Sequence, residues 1–190
     1  PRRFGKSLFV STLEHYYDYN NRDEFNKLFG DLYIGDNKTE LANSYYVLSF
    51  DFSGINTDTK DDLVKSFTKN VLKALNEFMD KYDLDFEYDK TGMPSEIFNS
   101  FLGRVKYQID KKIYVLIDEY DHFANELLSF QVDTFEETIS KTGFVRKWYE
   151  ILKQGTADGI VDRIFATGVS PITLDSLTSG FNIASNVSRD

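Results

Sequence analysis

The chain has 190 residues with 22 basic and 31 acidic side chains, a formal charge of -9. That length supports one hydrophobic core, and that charge argues against a direct nucleic-acid surface in this segment. There is no cysteine, which excludes disulfides, thiolate metal sites and thiol nucleophiles.

Residues 1 to 7 read PRRFGKS. Leu8, Phe9, Thr12, Leu13, Tyr16 and Tyr17 follow at three- and four-residue spacings, which predicts an amphipathic helix over 8 to 19. Phe25, Leu28 and Phe29, then Leu32 to Gly35, predict a short helix and a loop. Tyr45 to Phe52, YYVLSFDF, is aromatic and β-branched enough for a buried strand. Leu63, Phe67, Val71, Leu75, Phe78, Met79 and Tyr82 keep a 3.6-residue rhythm, so 60 to 82 is expected to be a helix of about six turns. An acidic passage with Asp80, Asp83, Asp85, Glu87 and Asp89 reads as solvated loop. Pro94 opens another helix with Ile97, Phe98, Phe101, Leu102, Val105 and Ile109 on one face.

Ile113 to Ile117, IYVLI, is an unbroken apolar run, as expected of a central parallel strand covered on both faces. It ends in Asp118-Glu119. Residues 122 to 154 read as helix broken near Thr142-Gly143, with Val145, Trp148, Tyr149 and Leu152 inward. Ile164 to Thr167 predicts a second short central strand before Gly168. From Val169 onward the apolar residues have no clean period. No run approaches the ~20 apolar residues of a membrane span, and no signal peptide is visible, so a cytoplasmic protein with no membrane contact is the expectation. Alternating strands and helices predict an α/β sandwich, with a mostly parallel sheet between two layers of helices.

Gly5-Lys6-Ser7 directly before an apolar helix matches the second half of a Walker A phosphate loop. Glycine lets backbone N–H groups curve round phosphate oxygens, lysine reaches the terminal phosphates as a point charge, and the serine hydroxyl suits magnesium. The helix start adds unpaired N–H groups and a favourable dipole. Arg2, Arg3, Phe4 and Leu8 flank this tripeptide and complete the candidate nucleotide-contacting stretch. An apolar strand ending in Asp-Glu has the Walker B form. Asp118 is then a magnesium ligand with Ser7, and Glu119 the residue that polarises the attacking water. Ligands of open α/β sheets sit at the carboxyl ends of the strands, so both motifs should share one rim. Thr167 ends another strand, where its hydroxyl suits contact with the γ-phosphate or the water; Lys6, Glu119 and Thr167 are the catalytic candidates. Asp51 ends its strand at the same level and suits a supporting role. Arg146 and Arg163 offer charge but read more simply as surface or salt-bridge residues. His15 and His122 have no partner at metal-ligand spacing.

With PRRFGKSLF, YVLSFDFSG, VLIDEYD and FATGVSPITLDSLTSGFNIASNVS in view, the sequence resembles the predicted AAA-ATPase-like family of bacterial proteins from residue 1 to 188. The resemblance implies a partial AAA-ATPase-like nucleotide-binding domain over 1 to 190: a P-loop NTPase three-layer sandwich, AAA+-like, cut before its first strand. It assigns Gly5, Lys6 and Ser7 to phosphate and magnesium, Asp118 and Glu119 to Walker B, and Thr167 to the sensor position. ATP and Mg2+ are the implied cofactors. A C-terminal nuclease-like domain of the PD-(D/E)xK type outside this chain is an implied neighbour, and a homo-oligomer that completes the site with a neighbour's arginine is compatible with it. Three functions stay open at this point: ATP hydrolysis, a nucleotide-gated switch with little or no hydrolysis, and an interaction module with a decayed site.

Overall fold

Three parallel strands carry the fold: β1 (Tyr46–Asp51), β2 (Ile113–Asp118) and β3 (Val161–Ala166), in the order β1-β2-β3. The computed structural model describes residues 5–122 and 143–168. The helices are α1 (Lys6–Tyr17), the short α2 (Phe25–Phe29) and α3 (Tyr33–Asp36), α4 (Lys60–Lys81), α5 (Pro94–Val105) and α6 (Phe144–Ala157). Predicted and observed bounds differ mainly at the ends. The last strand starts three residues earlier than its apolar run, because Val161 and Arg163 pair with Ile113 and Tyr114 of β2, with Asp162 at a bulge-like irregularity between them.

Period-two alternation sends the strand side chains to two different layers. Tyr45, Val47, Tyr114 and Leu116 pack with Val10 of α1, joined by Leu13, Tyr17 and Phe165. On the opposite face Leu48, Phe50, Val115 and Ile117 meet α4, α5 and α6 through Leu63, Phe67, Phe98, Phe101 and Trp148. The sheet therefore lies between α1 on one side and three helices on the other. Trp148 is fully buried at the centre of the larger layer, stacked on Phe98 at 5.2 Å and edge-on to Phe50 at 4.9 Å. Core packing thus accounts for Trp148, Tyr149, Tyr82 and Met79, as their helical spacing suggests.

The apolar face of α1 departs from expectation at its start. Leu8 and Phe9 are 74% and 51% exposed, whereas Val10 is buried. The helix rotates so that Val10, Leu13 and Tyr17 meet the sheet, while Tyr16 turns to Phe25 and Phe29 in a satellite cluster. The acidic passage has no regular structure; its alternating Leu84, Phe86 and Tyr88 pack against the core while Asp83, Asp85, Glu87 and Asp89 face solvent.

One polar junction fixes the carboxyl end of α1. Asp18 is fully buried, and its Oδ1 accepts from the Asn20 N–H at 3.0 Å. Its Oδ2 lies 2.6 Å from Lys81 Nζ, an ion contact whose angle falls short of a hydrogen bond. Lys81 also donates to Glu14 at 2.7 Å. Burial works against the lysine charge, but the interactions with Asp18 and Glu14 outweigh it and raise its pKa above the ordinary value. The Tyr45 N–H donates to the Tyr17 carbonyl at 3.0 Å, and the Tyr19 N–H to the Tyr45 carbonyl at 3.0 Å. The end of α1 is thereby tied to the beginning of β1.

Replacing Lys81 by Met leaves the Asp18 carboxylate buried without its cation. The expected loss is about 3 kcal/mol, the low end for a broken buried pair because Lys81 is partly exposed. Phe67→Ala removes a fully buried ring and should cost about 3–5 kcal/mol. Trp148 is the single tryptophan, so urea denaturation followed by its fluorescence measures both losses.

Candidate functional site

Helix α1 runs antiparallel to the strands, and two sets of contacts establish this. At its carboxyl end Tyr17 touches Tyr45 and Tyr114, with ring centroids 6.0 and 4.8 Å apart, where β1 and β2 begin. At its amino end Phe9 meets Phe165, 5.5 Å away, one residue before β3 ends. Twelve helical residues span about 18 Å and six strand residues about 20 Å, so the helix covers the length of the sheet. The start of α1, with Gly5, Lys6 and Ser7, consequently lies at the carboxyl rim.

Gly5 occupies the N-cap with φ 77° and ψ 18°, in the left-handed region that glycine enters without a Cβ penalty. A Cβ there would meet nothing within 4 Å, so the requirement is conformational. Among the described residues no side chain caps α1 and none takes the N–H groups of its first turn, which suit an anion. Lys6 is half-buried, while Ser7 and Leu8 are exposed. Arg2, Arg3 and Phe4 lie outside the described residues, as does the block from Val169 onward.

Alternation brings three polar groups to the same face of the sheet as α1. In β1 the α1-facing series 45, 47, 49 ends in Asp51; in β2 the series 114, 116 ends in Asp118. These two aspartates are directly paired in register. In β3, Phe165 faces α1 and Thr167 follows two residues later. The Thr167 hydroxyl donates to Asp118 Oδ1 at 2.5 Å, which confirms that the two share a face. Like carboxylates at neighbouring positions of a sheet repel. Asp51 and Asp118 therefore form a locus of negative potential on the side where the start of α1 offers a lysine and open N–H groups.

The ladder between β2 and β3 continues past both strand ends. The Thr167 N–H donates to the Ile117 carbonyl at 2.8 Å, and the Tyr120 N–H to the Thr167 carbonyl at 3.0 Å. Between these bonds Glu119 takes φ 52°, a left-handed conformation uncommon for a non-glycine residue. Its N–H donates to Asp118 Oδ1 at 3.0 Å. The Glu119 carboxylate turns toward His122, with Oε2 3.6 Å from Nδ1. Asp121 is 1% exposed. Gly168 is obligatory at its position, since a Cβ would come within 2.4 Å of the Tyr120 ring and 2.5 Å of Asp121 Oδ1.

The structure therefore brings together Gly5, Lys6, Ser7, Asp118, Glu119, Thr167 and Asp51 at one rim. It leaves the two arginine candidates elsewhere engaged: Arg146 pairs with Glu150 at 3.4 Å and Arg163 with Asp162 at 3.5 Å. Asp51 lies level with Asp118, as the shared strand period of YVLSFD and IYVLID suggests. His122, which follows the Asp-Glu pair and reads from sequence as a surface residue that could lie near the site, is part-exposed with its ring beside Glu119. A groove of about 690 Å³ lies along the outer face of α4, lined by Lys65, Thr68, Lys69, Leu72 and neighbours, and contains none of the rim residues.

Two carboxylates beside hydroxyl groups suit a hard, oxygen-preferring cation such as Mg2+, which commonly takes one or two carboxylates and completes its shell with phosphate and water. Among the described residues no group of three or more His, Cys, Asp or Glu side chains forms a metal cage, so a cation here would depend on its ligand for the rest of its shell. No described helix is long and apolar enough to cross a membrane.

A family model described as Predicted AAA-ATPase matches residues 1–178. No curated protein and no solved structure matches the chain significantly. The family match spans the start of α1, the end of β2 and the turn after β3, the three places that meet at the rim. The chain belongs to the AAA-ATPase-like family.

Proposed function

We propose that the rim binds ATP with Mg2+ and hydrolyses its γ-phosphate. The observation that carries this reading is the antiparallel lay of α1, which puts Lys6 and the open N–H groups on the same side and at the same end of the sheet as Asp118. Lys6 neutralises charge on the terminal phosphates, and the first-turn N–H groups of α1 bind phosphate oxygens. Ser7 and Asp118 hold the cation, which offsets the negative charge of the phosphates when bound. Glu119 orients a water for in-line attack on the γ-phosphorus and takes its proton as the bond to the departing diphosphate breaks. Arg2, Arg3, Phe4 and Leu8 flank the nucleotide in this reading.

A nucleotide-gated switch is a second reading, favoured by the Glu119 carboxylate resting beside His122. In that case nucleotide occupancy changes the conformation and turnover is slow.

Substituting Lys6 by Ala should weaken ATP binding at least 100-fold, on the order of 3 kcal/mol for a buried charge-assisted contact. Calorimetric affinity equal to that of the unmodified protein would sink the proposal. Glu119→Gln separates the two readings. It should leave ATP affinity within about threefold while phosphate release falls by about 10² or more; unmodified protein that binds ATP without releasing phosphate favours the switch.

A further inference from the structure

Thr167 lies where a hydroxyl would be expected to meet the γ-phosphate, yet the structure commits that hydroxyl elsewhere. Its Oγ1 donates to Asp118 Oδ1, and the residue is 8% exposed. The backbone on both sides of it is tied to the β2 end, through Ile117 before Asp118 and Tyr120 after Glu119. A rotation that carried the hydroxyl toward a phosphate would break its bond to Asp118, while those backbone bonds hold Thr167 itself in place.

The two oxygens of Asp118 are unequal. Oδ1 accepts from the Thr167 hydroxyl and from the Glu119 N–H. The second bond is local, running from the Glu119 N–H back to the side chain of the residue before it at 3.0 Å. Oδ2 receives no hydrogen bond from the described residues. Two donors converging on one oxygen fix the carboxylate plane, and the remaining oxygen is left for a cation or its bound water.

We infer that Thr167 is a positioning residue that acts through Asp118, forming with the Glu119 N–H a two-donor clamp that reserves Oδ2 for Mg2+, and that it does not contact the γ-phosphate. This rests on the proposed nucleotide site but makes a separable claim. Removing the hydroxyl should loosen the metal ligand and leave metal-free phosphate binding intact.

The experiment titrates Mg2+ into the intact protein with a fluorescent ATP analogue, with EDTA measurements as the metal-free reference. In Thr167→Val the Mg2+ midpoint should rise at least about tenfold, in keeping with the loss of a residue that orients a metal ligand. Analogue affinity in EDTA should be unchanged, and Thr167→Ser should restore the midpoint. An unchanged midpoint with lost phosphate release would overturn the inference, because the hydroxyl would then act on phosphate or water directly. A thermal-denaturation cycle with Asp118→Ala needs no nucleotide. Thr167→Val should lower the melting temperature in the parent and have little effect in the Asp118→Ala background. Equal shifts in both would refute the clamp. If the unmodified protein binds no nucleotide at all, the nucleotide reading fails while this cycle still decides whether the clamp exists.

Discussion

The orientation of α1 on the sheet is the constraint on which the site depends. A helix packed on a parallel sheet by its apolar stripe can run either way as far as burial is concerned. Here the choice is made by the buried Asp18–Lys81 contact and by the backbone bonds that join Tyr17 and Tyr19 to Tyr45. They hold the carboxyl end of the helix at the amino ends of the strands. The helix is long enough to carry its other end to the opposite rim, so Gly5, Lys6 and Ser7 come to the same side and end of the sheet as Asp118, more than a hundred residues away in sequence. The polar junction that sets this geometry is at the far end of the helix from the candidate site.

The parallel register adds the second condition. Asp51 and Asp118 are paired across β1 and β2 with their side chains on the α1 face. Shifting one strand by a residue would send its aspartate toward Trp148 and the larger core. The aromatic packing of Phe50, Phe52, Phe67 and Phe98 around Trp148 opposes such a slip, because each ring is buried and matched to its neighbours. The core thereby fixes which side of the sheet carries the negative potential.

Much of this was legible in the residues. The rhythm of Leu63 to Tyr82 and the run IYVLI gave their elements nearly to the residue, because burial on one helical face, or on both faces of a strand, leaves a strong pattern. The start of α1 was less legible. Leu8 and Phe9 are apolar but largely exposed, since the helix faces the sheet with Val10, Leu13 and Tyr17 instead. GKS and DE suggested a shared rim, but the lay of α1 on the sheet follows from the pairing of particular aromatic residues, which no local pattern encodes. The bond from Thr167 to Asp118 was beyond reach for the same reason: a hydroxyl at a strand end has several partners within range, and only the register selects one.

Tyr82 has a consequence for how the sheet can grow. Its hydroxyl receives the Val47 N–H at 2.7 Å and donates to the Val47 carbonyl at 3.4 Å, occupying both hydrogen-bonding groups of that residue on the outer side of β1. A foreign strand arriving there finds its docking points taken in the middle of the edge, a protection against edge-to-edge aggregation.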